Sequence, residues 1–334
     1  MKPLAVAVVG FGVMGKHHAN VYAALPHTEL VAIVDPDPGR RQHALRDYAI
    51  PSYANIAQLL QAHAIDAVSV AAPTSLHYPL CKTLLEAGVH VLVEKPVATD
   101  VQHAEALAAL SRRLGLILQV GHITRFYRAV QLLTARVGRP YLIEARRLSP
   151  SARIQDVGVI LDLMIHDIDI VLGLVRGDIY SVSVAGHALS NEHEDVAAAQ
   201  IVFDDGCIAR FLASRVAPDA ERSLVVAEDA QTFRLDFGHE PHTEIAIYRA
   251  LHKTASSEDR GSNVQMDRTN VYEDNPLRKE LEHFLARIRY AAPPIGTLED
   301  DLRSLRLATR LIRELRATLP IPTGTAGLGG VGQN

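Results

Sequence analysis

The chain has 334 residues, 48% of them hydrophobic and 22% charged, and a formal net charge of −4. This length gives room for two domains of ordinary size, and the composition is typical of a soluble globular protein. Because the basic residues are spread along the chain, we expect no nucleic-acid partner.

Only two cysteines are present, Cys81 and Cys207, and they lie far apart in the sequence. Two such cysteines argue against a disulfide framework and fit a reducing compartment. No apolar stretch approaches the ~20 residues of a membrane-spanning helix, and the short apolar run at the N-terminus is better explained as a strand than as a signal peptide. We therefore expect a cytoplasmic protein without a membrane partner.

Residues 4–120 alternate apolar strands with amphipathic helical stretches. The strands predicted from the apolar runs are 4–10, 30–35, 67–73, 89–95 and 116–122. The helical stretches between them include 15–25, 55–63 and 78–87. Near-continuous apolar strands separated by helices indicate a parallel sheet covered on both faces, whose binding sites lie at the carboxyl ends of the strands.

After about residue 125 the pattern changes to successive strands. They are predicted within 140–148, 179–189, 196–216, 223–229, 231–237 and 243–250, with a hairpin turn at 204–206. One helix, 158–174, interrupts this largely antiparallel sheet, and helical periodicity returns at 276–291 and 299–317. The final residues are glycine-rich and uncharged, which predicts a flexible tail over 319–334.

The stretch VVGFGVMGKHH places three glycines in GxGxxG spacing, directly after a strand and at the start of a helix. In a dinucleotide site the first glycine makes the turn, the second admits the pyrophosphate, and the third lets helix and strand pack closely. The helix N-terminus then offers N–H groups and a partial positive charge to the phosphates. The cofactor-binding residues predicted in this loop are Gly10, Phe11, Gly12, Val13, Met14 and Gly15.

Asp35 ends the second predicted strand, where its carboxylate can bind the hydroxyls of the adenosine ribose. A carboxylate at this point would repel a 2′-phosphate, which favours NAD over NADP. Arg40 and Arg41 follow closely and keep NADP open as an alternative.

The fourth strand ends at Glu94-Lys95-Pro96, at the sheet edge where the nicotinamide should lie. Charged residues are seldom buried without a partner or a task. A positively charged ring and the loss of water both disfavour an ammonium group, which suits Lys95 to exchange a proton with a hydroxyl that loses hydride. The alternative is a surface lysine that pairs with Glu94.

The predicted helix 158–174 carries three polar side chains on one side. At about 100° per residue, Asp162, His166 and Asp169 fall within roughly 60° of one another. A carboxylate one turn before a histidine indicates an imidazole held inside a site. Two alternatives stay open: a buried histidine satisfied by Asp162, and a metal ion shared by the pair. No other cluster at ligand spacing supports a metal, so we expect none.

Five motifs, GFGVMG, AAPTSLHY, EKP, GHITRF and DLMIHDID, occur in this order. Together they resemble the glucose-fructose oxidoreductase/inositol dehydrogenase/rhizopine-catabolism (Gfo/Idh/MocA) family, from about residue 4 to 317. The resemblance implies an α/β protein with an N-terminal Rossmann domain over 1–122. It also implies a C-terminal α+β domain over 123–318, for substrate binding and oligomerisation, built on an open-faced, largely antiparallel sheet.

In that family, sugars or polyols bind between the two domains, and oligomers often pack through the sheet. We therefore expect a small-molecule sugar or nucleotide-sugar substrate and a homo-oligomer, either a dimer or a tetramer. Carried over by position, Lys95 matches the catalytic lysine of EKP, His166 the active-site histidine, and Asp162 its preceding partner. The resemblance implies cofactor contacts at Pro73, Thr74, His77, Glu94, Lys95 and His122. It implies substrate contacts at Lys95, His122, Arg125, Tyr127, Arg153, Asp162 and His166.

Within the family, VGHITRFYRA and GVILDLMIHDIDIVL are most similar to the nucleotide-sugar dehydrogenases that oxidise the 3-hydroxyl of UDP-N-acetylglucosamine or its uronic acid. Met164 fits this branch, whereas Tyr127 stands where the branch usually has asparagine.

Our hypothesis is hydride transfer from a sugar carbon to NAD, with Lys95 or His166 taking the hydroxyl proton. Asp162 would orient the histidine, and Arg125 and Arg153 would meet anionic substrate groups. The alternatives are an inositol or free-sugar dehydrogenase, an NADPH-dependent keto-sugar reductase, a glycosidase that retains its NAD, and a non-catalytic dinucleotide sensor.

Overall fold

A computed structural model of the protein describes residues 2–150, 156–189, 192–239, 241–250 and 264–318. Two sheets organise these residues, one of six strands and one of eight. Within the described ranges, no helix is both long enough and apolar enough to span a bilayer. The predicted tail 319–334 lies outside the described residues.

The first sheet is parallel throughout and has the strand order β3-β2-β1-β4-β5-β6. Its strands are β1 (Leu4–Val9), β2 (Thr28–Val34), β3 (Ser52–Tyr53), β4 (Ala67–Val70), β5 (His90–Glu94) and β6 (Leu118–Gly121). The order reverses direction between β1 and β4, and a crevice for a ligand opens at such a point, beyond the carboxyl ends of the strands. This arrangement confirms the predicted Rossmann domain.

Five helices connect these strands: α1 (Val13–Ala24), α2 (Pro38–Tyr48), α3 (Ile56–Ala62), α4 (His77–Glu86) and α5 (Val101–Leu114). Three of them begin at side chains that accept a backbone N–H and so satisfy the free donors of the first turn: Asp37, Asn55 and Asp100. The sequence pattern had not singled out α2, because its only buried residue is Ala44 and it therefore shows no apolar stripe.

The second sheet has the order β14-β13-β12-β11-β7-β10-β9-β8. Its strands are β7 (Leu142–Leu148), β8 (Ile179–His187), β9 (Val196–Phe203), β10 (Ile208–Ser214), β11 (Glu221–Ala227), β12 (Gln231–His239), β13 (His242–Ala250) and β14 (Val264–Tyr272). All neighbours are antiparallel except β7 and β10. The predicted hairpin turn lies between β9 and β10, where Gly206 has a φ of 90°.

One face of the second sheet packs on helices and the other is open. Alternation along β7 is clear, since Ile143 and Ala145 are buried whereas Arg146 is exposed. The covering elements are a π-helix (Ile160–Met164) that continues as α7 (Ile165–Leu174), and α9 (Leu298–Thr318). The largely antiparallel, open-faced sheet is therefore as predicted.

The remaining helices are α6 (Arg128–Thr134) and α8 (Pro276–Tyr290). Leu281 and Phe284 of α8 are fully buried in one cluster with Val6 and Tyr22 of the Rossmann domain. The chain therefore returns to its first domain after completing the second sheet, which fixes the two domains around the cleft between them.

Candidate active site

The glycine-rich loop has the shape that a dinucleotide requires. A Cβ at Gly10 would lie 2.6 Å from the Ala71 carbonyl oxygen, and one at Gly15 would lie 1.8 Å from the Gly10 oxygen, so neither position admits a side chain. At Gly12, in contrast, the nearest atom to an added Cβ is an Arg40 nitrogen at 4.0 Å, which leaves room for a ligand. Gly12 also begins α1 without a side-chain cap, so the first-turn N–H groups can bind phosphate.

The other predicted loop residues line the same helix start. Phe11 is buried, whereas Val13 and Met14 are 60% and 37% exposed. The Asp35 carboxylate is buried and accepts the Phe11 N–H at 2.7 Å and the Asp37 N–H at 2.9 Å. It therefore fixes the loop against the end of β2, where the adenosine ribose of a dinucleotide would lie.

Two arginines adjoin this carboxylate. Arg40 Nη1 lies 3.5 Å from Asp35 Oδ2, and the Arg40 side chain is 55% exposed. Arg41 donates to the carbonyl oxygens of Asp35 and Pro36. The exposed guanidinium of Arg40 thus lies beside the carboxylate on which the choice between NAD and NADP depends.

The loop after β4 contributes differently from what the sequence implied. Thr74 is buried at the start of a short 3-10 helix (Thr74–Leu76), and Pro73 before it is exposed. His77 is buried with one ring nitrogen 2.8 Å from the Pro96 oxygen and the other 2.9 Å from the Ala72 oxygen. Because both nitrogens contact backbone, His77 joins this loop to the turn after Lys95 and has no polar atom left for the cofactor.

Lys95 pairs with Asp162 rather than with its neighbour Glu94. Its Nζ donates to the Asp162 carboxylate at 3.0 Å and to the Asp162 carbonyl oxygen at 2.6 Å. The lysine side chain is only 11% exposed, and the peptide bond to Pro96 is cis. The surface alternative considered for Lys95 is therefore wrong, and the ammonium group lies in the cleft between the domains.

Glu94 has a partner that the sequence did not reveal. Its Oε1 lies 2.9 Å from Nε2 of His18, a completely buried residue of α1. Burial alone would raise the pKa of Glu94. The His18 contact and the nearby charges of Lys95 and His77 outweigh burial, so the pKa lies below its usual value and the carboxyl is ionised. His18 follows the glycine-rich loop within GKHHAN, and only the adjacency of α1 and β5 makes it part of the site.

His166 is not oriented by Asp162 as we had expected. Among the described residues the two side chains share no hydrogen bond, and His166 Nδ1 is buried without a partner. Asp162 lies within the π-helix, whose wider turns change the angles assumed for a regular α-helix. Burial, then the charges of Lys95 and Arg147, holds the pKa of His166 well below its usual value.

Arg125 is held by two buried carboxylates. It donates to Asp169 at 2.8 and 2.6 Å, and its Nη2 lies 2.7 Å from Asp301 Oδ1. Ser304 donates a further hydrogen bond to Asp169. We had expected Arg125 to meet an anionic substrate group, but the structure directs its guanidinium into this cluster.

His122 completes the cluster, at 3.7 Å from Asp169 and 3.7 Å from Asp301. Burial lowers the pKa of His122 to about 4, so its ring is neutral at pH 7. His122, Asp169 and Asp301 place potential metal-ligand atoms within 4.8 Å of one another. Because both carboxylates already contact the Arg125 guanidinium, we assign no metal to them.

Arg147 and Tyr127 contact other side chains of the second domain. Arg147 donates to Asp167 at 3.1 and 2.7 Å, which joins β7 to α7. Tyr127 is half-buried, with its ring 5.9 Å from that of Phe237. Arg153 lies outside the described residues.

A cavity of about 620 Å³ lies away from the reacting groups, between α6, the C-terminal half of α7 and the start of α9. Arg125 and Asp169 form part of its wall, whereas Lys95 and His166 do not. We place the candidate active site at the Lys95–Asp162 pair after β5, where the two domains meet.

Comparisons with known proteins agree with both domains. Residues 4–122 match the oxidoreductase family with an NAD-binding Rossmann fold known as GFO/IDH/MocA, and residues 129–234 match the GFO/IDH/MocA C-terminal domain. The chain is 31% identical over 292 residues to UDP-N-acetylglucosamine 3-dehydrogenase of Acidithiobacillus ferrooxidans, covering 87% of this chain and 90% of that protein. This chain belongs to the Gfo/Idh/MocA family.

A second relative in this Gfo/Idh/MocA family is scyllo-inositol 2-dehydrogenase (NAD(+)) of Bacillus subtilis, 29% identical over 335 residues, with 94% of this chain and 95% of that protein covered. The solved structure of the Acidithiobacillus ferrooxidans enzyme, GnnA, has a TM-score of 0.85 at 30% identity, covering 95% of this chain and 99% of that one. GenD2 from gentamicin A biosynthesis, in complex with NAD, shares the fold with a TM-score of 0.81 at 20% identity, covering 95% of each chain.

Membership of the Gfo/Idh/MocA family confirms the predicted NAD-binding Rossmann domain. The protein is an NAD(P)-dependent dehydrogenase that acts on CH–OH groups. Its glycine-rich loop, the open start of α1 and the Asp35 carboxylate fit a dinucleotide cofactor.

Proposed function

We propose that this chain oxidises the C3 hydroxyl of a UDP-N-acetylhexosamine with NAD. The observation that carries the proposal is the similarity to UDP-N-acetylglucosamine 3-dehydrogenase, which extends over both domains at 31% identity and covers 90% of that protein. The Asp35 carboxylate at the end of β2 supports NAD as the preferred cofactor.

Bound NAD supplies the hydride acceptor, and side chains of this protein handle the hydroxyl proton. Lys95, held in an ion pair by Asp162, donates a hydrogen bond to the reacting oxygen. The lowered pKa of His166 keeps its imidazole neutral at pH 7, so we assign to it the removal of the hydroxyl proton.

The choice of His166 as the base has a simple test. Because its pKa lies well below the usual value, the wild-type kcat for oxidation should stay level from pH 8 down to about pH 6 and fall only in more acid solution. His166→Asn should lower kcat by about a hundredfold or more at every pH. A kcat in His166→Asn that stays close to the wild-type value would assign the proton to Lys95 instead.

An inositol is the second substrate we consider. The observation that favours it is the 29% identity to scyllo-inositol 2-dehydrogenase over 94% of this chain. A neutral polyol would use Lys95, Asp162 and His166 in the same way, since these residues act on the reacting hydroxyl and not on the rest of the substrate.

We further propose that the protein forms a homo-oligomer, a dimer or tetramer, through the open face of the second sheet. That face mixes the half-buried aliphatic residues Leu212 and Val225 with the ion pair between Arg146 and Glu221 at 2.9 Å. Light scattering of Leu212→Glu against wild type tests this surface, and an unchanged mass would refute it.

A cytoplasmic location, predicted from the free cysteines, stays a prediction.

The decisive experiment follows NADH absorbance as protein and NAD meet UDP-sugars, free sugars and inositols. NADH formed only with UDP-N-acetylhexosamines supports the proposal, and product analysis then locates the ketone. Turnover of inositols alone would mean that the substrate is an inositol. NAD that stays bound without net reduction during turnover indicates the glycosidase alternative. A preference for NADPH indicates a reductase, and binding of NAD without any turnover indicates a sensor.

A further inference from the structure

A buried glutamate caps the start of the π-helix that carries Asp162. Glu194 lies two residues before β9, in a different segment of the chain. Its carboxylate accepts the Ile160 N–H at 3.0 Å, and its backbone carbonyl oxygen accepts the Val159 N–H at 3.0 Å. The first N–H groups of a helix have no partner within the helix, and a negative charge beside them is favourable. Glu194 therefore supplies both acceptors that this helix start needs.

Gly158 leaves the space that the carboxylate fills. The three atoms nearest to a Cβ added at Gly158 all belong to the Glu194 carboxyl group, at 2.1 to 2.2 Å. The φ of Gly158 is not in the left-handed region, so its own backbone conformation does not require a glycine. The requirement comes from the close approach, because a side chain at position 158 and the Glu194 carboxylate cannot occupy the same place.

A buried ion pair joins the two segments that form this cap. Arg215 donates to Asp195 Oδ1 at 2.5 Å and to the Val157 carbonyl oxygen at 2.9 Å, and both charged side chains are 2% exposed. Asp195 directly follows Glu194 in the chain. Val157 directly precedes Gly158, so the ion pair fixes both segments beside the cap. The Glu194 carboxylate is thus held in place by buried groups.

The capped turn leads directly to Lys95. The Asp162 N–H donates to the Gly158 carbonyl oxygen at 2.9 Å, and Asp162 in turn accepts both hydrogen bonds from Lys95. The Glu194 carboxylate, packed on Gly158, is therefore one helical turn from the group that holds the ammonium. Because Lys95 contacts the backbone carbonyl of Asp162 as well as its side chain, a shift of this turn moves both acceptors.

We infer that Glu194 is a positioning residue for the oxidation, because its carboxylate fixes the first turn of the π-helix where Asp162 meets Lys95. It acts through Asp162 and not on the substrate itself. A displacement of about 1 Å at a reacting group can lower turnover about a hundredfold. The inference rests on the proposed function only in taking Lys95 and Asp162 as the groups that handle the reacting hydroxyl.

The test compares Glu194→Ala with Glu273→Ala. Glu273 is a matched control because its carboxylate is also buried and caps a helix distant in sequence, accepting the Arg128 and Ala129 N–H groups of α6 at 2.6 and 3.1 Å. Both variants lose a cap and should lower the Tm by similar amounts. We expect only Glu194→Ala to lower kcat, by about tenfold or more, while calorimetric titration gives a Kd for NAD within about twofold of wild type. An equal kcat in the two variants would overturn the inference.

A second variant removes the cap without removing the glutamate. Gly158→Ala displaces the carboxylate and should lower kcat as Glu194→Ala does. In Gly158→Ala/Glu194→Ala the steric conflict is absent, so the double variant should turn over about as fast as Glu194→Ala alone. Glu194→Gln keeps an oxygen that can accept the Ile160 N–H and should retain kcat within about threefold of wild type. Losses that multiply in the double variant would show that the two positions act independently, and would contradict the inference.

Crystal structures of the variants give a readout that needs no substrate. In Glu194→Ala the distance from Lys95 Nζ to the Asp162 carboxylate should exceed about 4 Å, the limit of an ion pair, whereas in Glu273→Ala it should stay near 3.0 Å. If wild type oxidises none of the sugars and inositols offered, the proposed function fails, and these distances still decide the role of Glu194. A pair that keeps its contact in Glu194→Ala would show that the cap does not position it.

Discussion

Asp162 accepts two hydrogen bonds from the Lys95 ammonium group, one at 3.0 Å through its carboxylate and one at 2.6 Å through its backbone carbonyl oxygen. Lys95 directly follows β5 of the Rossmann domain, and Asp162 belongs to the π-helix of the second domain. The pair therefore spans the cleft and sets the position of the ammonium group relative to both the cofactor loop and the substrate floor. Its geometry depends on the contact between the domains, since neither domain contains both partners.

Replacement of Lys95 by methionine should remove turnover and leave cofactor binding largely intact. The side chain keeps its length and apolar stem, but no donor then reaches the reacting hydroxyl. We expect kcat to fall about a thousandfold or more, and the Kd for NAD to change less than about threefold. Stopped-flow turnover and calorimetric titration with NAD measure the two quantities.

Lys82→Met is the matched control for Lys95→Met. Lys82 is a half-exposed lysine of α4, 4.0 Å from Glu86. Its replacement should leave both kcat and the Kd for NAD unchanged. If Lys95→Met lost NAD binding while Lys82→Met kept it, the lysine would act mainly on the cofactor, and its proposed contact with the substrate would be wrong.

The general features of this site follow from sequence because local patterns determine them. A parallel sheet presents its carboxyl ends at one edge, so the end of the fourth predicted strand, at Lys95, was expected near the nicotinamide. The apolar run around His166 likewise predicted a helix. The fold class follows for the same reason, since both domains show clear alternation of strands and helices.

Partners distant in sequence were not predictable in this way. Asp162 was assigned to His166 on the geometry of a regular helix, and the π-helix invalidated that assumption. Asp301 belongs to an acidic first turn of α9 that is typical of a solvated helix start, yet it is buried against Arg125. Strand β14 was missed because six of its nine residues, QMDRTN, form a run with a single apolar member.

Asp35 should control the choice between NAD and NADP. Asp35→Ser removes the charge that repels a 2′-phosphate and frees the neighbouring Arg40 guanidinium, which is 3.5 Å away. We expect the ratio of kcat/KM for NADP to that for NAD to rise about tenfold or more, although both values fall because the Phe11 N–H loses its acceptor. Steady-state assays with both cofactors give the ratio. In Asp35→Ser/Arg40→Gln the gain should disappear, and a gain that persisted would show that Arg40 plays no part.

Stability should depend on pH through Asp301. Burial raises the pKa of its carboxyl to about 7 even though Arg125 opposes the shift. The unfolded value is near 3.9. The native state therefore binds the proton more tightly than the unfolded state does. The stability that this group contributes is complete below about pH 4 and is lost as the pH rises through about 7.

Asp301→Asn removes this titration. The difference in Tm between pH 5.5 and pH 8 should shrink by several degrees relative to wild type, on the order of 3 °C per kcal/mol. Circular dichroism at the two pH values measures it. Asp178→Asn, at an exposed acid, should keep the wild-type difference. A wild-type pH response in Asp301→Asn would mean that the carboxyl is ionised throughout this range.

Gly296 should be the least replaceable glycine near the Arg125 cluster. Its φ is 81°, and an added Cβ would lie 2.1 Å from Arg125 Nη1, a guanidinium fixed by Asp169 and Asp301. Gly296→Ala therefore combines an unfavourable backbone conformation with displacement of a paired arginine, and we expect a loss of ~2 kcal/mol or more in the free energy of unfolding. Gly173→Ala is the control, because an added Cβ in α7 meets nothing within 4 Å and should stabilise the helix by up to ~1 kcal/mol. Urea unfolding of both variants measures the difference, and equal stabilities would show that the loop carrying Gly296 yields without disturbing Arg125.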